Sequence, residues 1–183
     1  MRVACIGSRG LTEDQLESCR RFGQWIAKMG HELHTGNALG ADQAFAYGAN
    51  QVDPTKVFLH LPWQNYEKSA ITEGNQVFVV GDITPELEIL YERLARQAHP
   101  AWARLESAAR KLHIRNSSII CPPPKGKPVD LVLAWPREGA SMGGTGQGIR
   151  VAQQLGIQWV ALNKTNQKGF RDLAEFLRVQ RVA

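Results

Sequence analysis

The sequence predicts an α/β three-layer sandwich on a mainly parallel sheet of about five strands, with a helical insertion over residues 63–127. Three observations carry that expectation. Short apolar runs at 2–7, 31–35, 56–61, 129–135 and 157–162 alternate with stretches of helical periodicity, the order that crossover helices on a parallel sheet produce. Glycine-rich turns follow the first, second and fourth of these runs and open the next helix. The 183 residues, 43% of them hydrophobic and 21% charged, suffice for one domain with its own core.

Residues 2–7 read as a buried strand stopped by Gly7-Ser8-Arg9-Gly10. Thr12 and Gln15 stand at capping-box spacing, and Leu16, Cys19, Phe22, Ile26 and Ala27 then recur on one helical face until Gly30 ends it. Strand 31–35 leads into the turn Gly36-Asn37-Ala38-Leu39-Gly40 and a small-residue helix over 41–50. Pro62 stops the third strand, 56–61. The middle is less regular. Residues 76–80 allow a small extra strand, and helices are expected over 85–97 and 102–112, split at His99-Pro100 because a residue before proline leaves helical geometry. Pro122-Pro123-Pro124 stiffens the connection into strand 129–135. Helix 143–155, strand 157–162 and an amphipathic helix over 170–179 follow.

Charge narrows the partners without naming one. Lys and Arg total 22 against 17 Asp and Glu, a net charge of +5, which favours phosphate-bearing ligands, but no polybasic run occurs. No apolar stretch approaches the ~18 residues of a membrane span, and the N-terminus lacks a signal-peptide core, so a cytoplasmic protein with no membrane partner is expected. Cys5, Cys19 and Cys121 are too dispersed for a disulfide framework and read as reduced, buried thiols. The five histidines form neither HExxH nor a zinc pattern, so no metal and no required cofactor is expected. Ser8 sits in no GxSxG elbow, which argues against a serine nucleophile.

Ligands of open parallel sheets bind at the carboxyl ends of the strands. The candidate binding residues are therefore those of the three turns: Gly7, Ser8 and Arg9; Gly36, Asn37, Ala38, Gly40 and Asp42; Gly143, Gly144 and Thr145. Glycine lets a ligand approach the amides, the helix N-termini attract phosphate, and Arg9 adds a charge-assisted fork. None of the turns is a Walker A motif or a GxGxxG fingerprint after the first strand. Asp42 suits a ribose hydroxyl, an orienting role or dipole compensation in a first helical turn. Trp63 offers a ring on which a base stacks or a packing residue at the rim. Glu138, the carboxylate beside the third glycine turn, is a weak candidate for a catalytic base.

Taken together, Ile-Gly-Ser-Arg, Thr-Gly-Asn-Ala-Leu-Gly-Ala-Asp-Gln-Ala, Leu-Pro-Trp, His113-Ile114-Arg115-Asn116 and Gly-Gly-Thr-Gly-Gln-Gly-Ile-Arg-Val-Ala resemble, in order, the SLOG superfamily. That Rossmann-like group holds the DNA-processing recombination mediators DprA/Smf, the LOG phosphoribohydrolases and YspA-like proteins. The resemblance is strongest to small DprA-like proteins, many of them phage-encoded. It implies a Rossmann-like domain over 1–183 that binds a nucleotide or an ADP-ribose-like small molecule at the turns, with Arg115 and Asn116 closing the pocket. It also implies two alternatives, a mediator that binds single-stranded DNA and a LOG-like nucleotide hydrolase, and a homodimer as the default assembly. The LOG pattern PGGxGTxxE carries a catalytic glutamate, and aligning the threonine puts Gly148 there.

Overall fold

Alternation along the strands sets the layers. Val3, Cys5, Leu33, Leu59, Leu131 and Leu133 face one side of the sheet, while Ala4, Ile6, Val132 and Ala134 face the other. The computed structural model describes residues 1–137, 143–165 and 167–179. Its sheet has six parallel strands, β1 (Arg2–Gly7), β2 (Glu32–Thr35), β3 (Val57–Leu61), β4 (Gln76–Val79), β5 (Leu131–Trp135) and β6 (Trp159–Ala161), in the order β4-β3-β2-β1-β5-β6. This is an α/β Rossmann-like fold with helices on both faces.

On the first face lie α1 (Glu13–Lys28), α2 (Ala41–Asn50) and α6 (Gln167–Val179), which bury Phe22, Ile26, Phe45, Leu173 and Leu177 against the sheet. Thr12 caps α1 through the reciprocal pair with Gln15 that its sequence calls for. Helices α1 and α2 touch backbone to backbone. A methyl at Gly23 would fall on the Phe45 carbonyl, and one at Gly48 on that of Arg20.

The second face is built by α3 (Pro85–Ala98), α4 (Ser107–Ile120) and α5 (Gly143–Gln154), around Leu87, Tyr91, Ile119, Ile120 and Val151. The stretch read as an insertion supplies the small extra strand that the sequence allows, β4, parallel to β3, and two of the three helices of this layer. Here the fold departs from expectation in one respect. Residues 102–104 form only a 3-10 turn, and α4 starts later and runs further than expected, to Ile120. Arg115 and Asn116 therefore lie inside a helix, where the buried residues Ile119 and Ile120 carry its apolar face onward. The split after Ala98 is present, with His99 in extended geometry.

All three cysteines are free and buried. No helix among the described residues is long and apolar enough to cross a membrane.

Candidate functional site

Strands β1 and β5 are neighbours, with Gly7 in register with Trp135, but the chain leaves them for opposite faces, toward α1 and α5. That divergence opens a crevice at their carboxyl ends, the place where open parallel sheets take ligands. A cleft of about 610 Å³ occupies it. Its polar side carries Ser8, Arg9, Asp42, Arg137, Thr145 and the backbone of Gly143-Gly144; its apolar side carries Ile6, Ala109, Leu112 and Ile119. The positive end of α5 and two exposed guanidinium groups, those of Arg9 and Arg137, give the polar side an anion-binding character.

The turns forming this cleft are stitched to one another. The Ser8 amide donates to the Trp135 carbonyl at 2.9 Å, and the Ala41 amide donates to the Ser8 carbonyl at 3.1 Å. Asp42, in the first turn of α2, accepts from the Gly7 amide at 3.1 Å and from the Ala38 amide at 3.4 Å. Each of its oxygens thus accepts from a backbone amide, which ties the first turn to the second. Burial pushes its carboxyl up to about 6, against the pull of Arg115 and of the amides it accepts from.

Arg115 reaches from α4 beneath the cleft. Its guanidinium donates to the carbonyls of Gly36 and, at 3.3 Å, of His60, and lies 5.5 Å from the centre of the Tyr66 ring. Burial lowers its basicity, and Asp42 opposes that shift. Gly36 is glycine for a steric reason. A Cβ there would lie 2.6 Å from Arg115 Cζ and 2.8 Å from Asp42 Oδ2. Behind this point runs a buried hydrogen-bonded chain, His34 Nδ1 to His60 Nε2 at 3.1 Å and His60 Nδ1 to Ser118 Oγ at 3.0 Å.

One loop joins the cleft to an aromatic rim. Asn37, in left-handed geometry (φ 58°), donates from Nδ2 to the carbonyls of Tyr66 and Glu67, clamping a segment whose Asn65 and Glu67 also have positive φ. Arg9 Nη2 donates to Tyr66 Oη at 3.4 Å. Trp63 stands edge-on to Tyr66, ring centres 5.2 Å apart, and is 38% exposed.

Of the residues singled out from the sequence, Gly7, Ser8, Arg9, Ala38, Asp42, Arg115, Asn116, Gly143, Gly144 and Thr145 line one cleft. Gly36 and Asn37 are buried behind the lining, Gly40 borders a separate depression with Arg20 and Tyr47, and Trp63 stands outside the cleft at the end of the Arg9–Tyr66 contact. Asn116 ties α4 to α5 by donating to the Gly144 carbonyl at 3.3 Å. Glu138 lies outside the described residues. Sequence reasoning missed Arg137, whose signal was its place just past a strand end, like Arg9. It also missed Tyr66, which carried no signal before the fold placed it, and His113, which stood beside Arg115 and Asn116 in the segment 113–116 but was not singled out. Gly148, the position of the LOG glutamate, lines the cleft, and a Cβ there would come within 2.7 Å of Ile6 Cδ1. Among the described residues, no cluster of side chains suits a metal ion.

No family model matches the sequence, and no curated protein compared with it does. Two solved structures resemble the chain along nearly its whole length. DNA processing protein A from Helicobacter pylori, described by its single-stranded DNA binding mode, superposes with a TM-score of 0.52 at 17% identity, over 97% of this chain and 73% of that one. DNA processing protein A (DprA) from Streptococcus pneumoniae gives 0.54 at 16% identity, over 100% of this chain and 56% of that one. The chain has the DprA-like fold. At this identity the likeness concerns the backbone, and the residues of the cleft itself decide what it binds.

Proposed function

We propose that the chain binds single-stranded DNA, seating a phosphate of the strand among Ser8, Arg9, Arg137 and the N-terminus of α5. The observation that carries this reading is the Arg9–Tyr66–Trp63 connection. It runs from the cationic side of the cleft to an exposed indole, the pairing of backbone charge and stacking surface that single-strand binders use. Similarity of fold to a protein with a single-stranded DNA binding mode adds support.

A second reading, capture of a free nucleotide or an ADP-ribose-like molecule, is favoured by the apolar wall of Ile6, Leu112 and Ile119, which offers a slot for one base. A phosphodiester and a mononucleotide share the same anion contacts, so the two readings separate by competition. Fluorescence anisotropy of a labelled dT oligonucleotide, with unlabelled duplex, AMP and ADP-ribose as competitors, decides between them. The expected result is saturable binding that weakens with salt, with a slope shallower by about 0.7 for each phosphate that R9A or R137A leaves without its cation. Duplex and AMP should compete poorly. Failure to bind the oligonucleotide together with tight binding of ADP-ribose would transfer the function to the second reading.

A further inference from the structure

We propose that His113 is the group of the cleft that takes up a proton when a phosphate-bearing strand binds, so that affinity rises as pH falls through the histidine range. This inference rests on the nucleic-acid reading of the same site.

His113 projects from α4 into the cleft lining and is half-buried. Its Nδ1 lies 3.4 Å from Gln147 Oε1 on α5; an amide oxygen only accepts, so Nδ1 carries the proton and Nε2 is the nitrogen left to titrate. The ring packs against His99 at the end of α3, centres 4.4 Å apart. His99 accepts at Nδ1 from the Ala101 amide and so holds its own proton on Nε2. Two imidazoles this close share at most one added charge.

The groups facing His113 come from every neighbouring element: His99 from α3, Gln147 and Arg150 from α5, and Arg115 from its own helix. Burial and the adjacent His99, Arg150 and Arg115 lower the basicity of the ring, while Gln147 pulls the other way. Arg9, Arg137 and Asp42 line the same space. A bound phosphate reverses the balance at His113, because it adds an anion to a space that, among the described residues, holds cations and one buried carboxyl. By linkage, the factor by which binding favours the protonated ring is the factor by which protonation strengthens binding. Asp42 also takes up a proton in this range, so a pH-dependent affinity alone does not assign the effect.

The experiment uses the intact chain and a dT oligonucleotide of about 20 nucleotides, whose bases and phosphodiesters do not titrate across the histidine range. Affinity is measured at about pH 8 and about pH 5.5, and proton uptake by calorimetry in two buffers of different ionisation enthalpy. Wild type should bind about tenfold tighter at the lower pH, the gain expected when binding raises the proton affinity of a single group about tenfold. H113Q should lose most of the proton uptake and most of that gain, Asp42 accounting for the remainder. H99Q should keep the uptake and move its midpoint upward. The ring resonances of His113, followed by NMR in wild type, should titrate at higher pH with the oligonucleotide bound. Binding without proton uptake, or uptake undiminished in H113Q with an unmoved His113 midpoint, overturns the inference and leaves the binding function standing. No binding at either pH overturns both.

Discussion

Arg115 donates to the carbonyl oxygen of Gly36, a residue 79 positions earlier, from a helix on the opposite face of the sheet to the one that Gly36 leads into. The contact ties the two helical layers together directly beneath the cleft. Asp42 stands on the other side of Gly36, so one missing side chain accommodates both a buried cation and a buried carboxyl. Replacing Gly36 with alanine forces its methyl onto the guanidinium and displaces it from two carbonyls. Overpacking and a broken charge-assisted hydrogen bond together predict a loss of roughly 3 kcal/mol. Urea denaturation of G36A measures it; a loss below about 1 kcal/mol would mean that Arg115 has room to move aside.

Asp42 gives the fold a pH dependence of unusual sign. Its carboxyl titrates at about 6 in the folded chain and near the ordinary aspartate value when unfolded, so the folded state binds the extra proton between the two. Stability from this group therefore rises as pH falls through about 6 and is lost as pH climbs back. His34 and His60 act in the opposite sense, since burial lowers the basicity of both, and acid costs them stability. The two effects separate by difference, because the histidines are common to wild type and D42N. The stability of wild type minus that of D42N should increase by about 1 kcal/mol between about pH 7 and about pH 5. A flat difference across denaturation curves in that interval would place the carboxyl at an ordinary value.

These residues also mark how far the sequence can be read. The strand ends and glycine turns are legible because local rules produce them: apolar runs, capping residues and glycines lie next to one another in the chain. β4 is harder, because Gln76 and Val77 face solvent at the sheet edge and the 3-10 turn that follows, Val80–Asp82, holds a single glycine rather than a glycine-rich run. The reach of α4 is hidden for want of a stop signal, since Arg115-Asn116-Ser117-Ser118 reads as polar yet is entirely buried. Only the third dimension supplies its partners, Gly36, His60 and Gly144. A glycine retained for a guanidinium on another helix looks, in one dimension, like any turn glycine.

Gly148 separates stability from binding. The atom that a methyl there would meet is the terminal Ile6 Cδ1 at 2.7 Å, the mobile end of a side chain. Helix propensity gains up to about 1 kcal/mol from glycine to alanine, comparable to the crowding cost of at least about 1 kcal/mol. G148A should then fold with near-native stability. G148E places a carboxylate in the lining beside Arg9 and Arg137, where it competes with a phosphate for the same cations. Oligonucleotide affinity should fall at least about tenfold in G148E and change little in G148A. Equal affinities for all three proteins would move the bound strand away from this cleft.

Trp63 tests whether the aromatic rim takes part. Its ring is 38% exposed and touches Tyr66 by an edge, so truncation removes little buried area and should leave the melting temperature within a few degrees. Stacking on a base contributes about 1–3 kcal/mol by alanine substitution, so W63A should weaken binding of a dT oligonucleotide by about five- to a hundredfold. W63F, which keeps an aromatic face, should recover most of the loss. The same substitution should leave the affinity for AMP unchanged, because Trp63 stands outside the cleft lining. Anisotropy titrations with both ligands read the two arms in one experiment. If W63A weakens AMP as much as the oligonucleotide, the indole supports the shape of the cleft by way of Tyr66 and does not meet a second base.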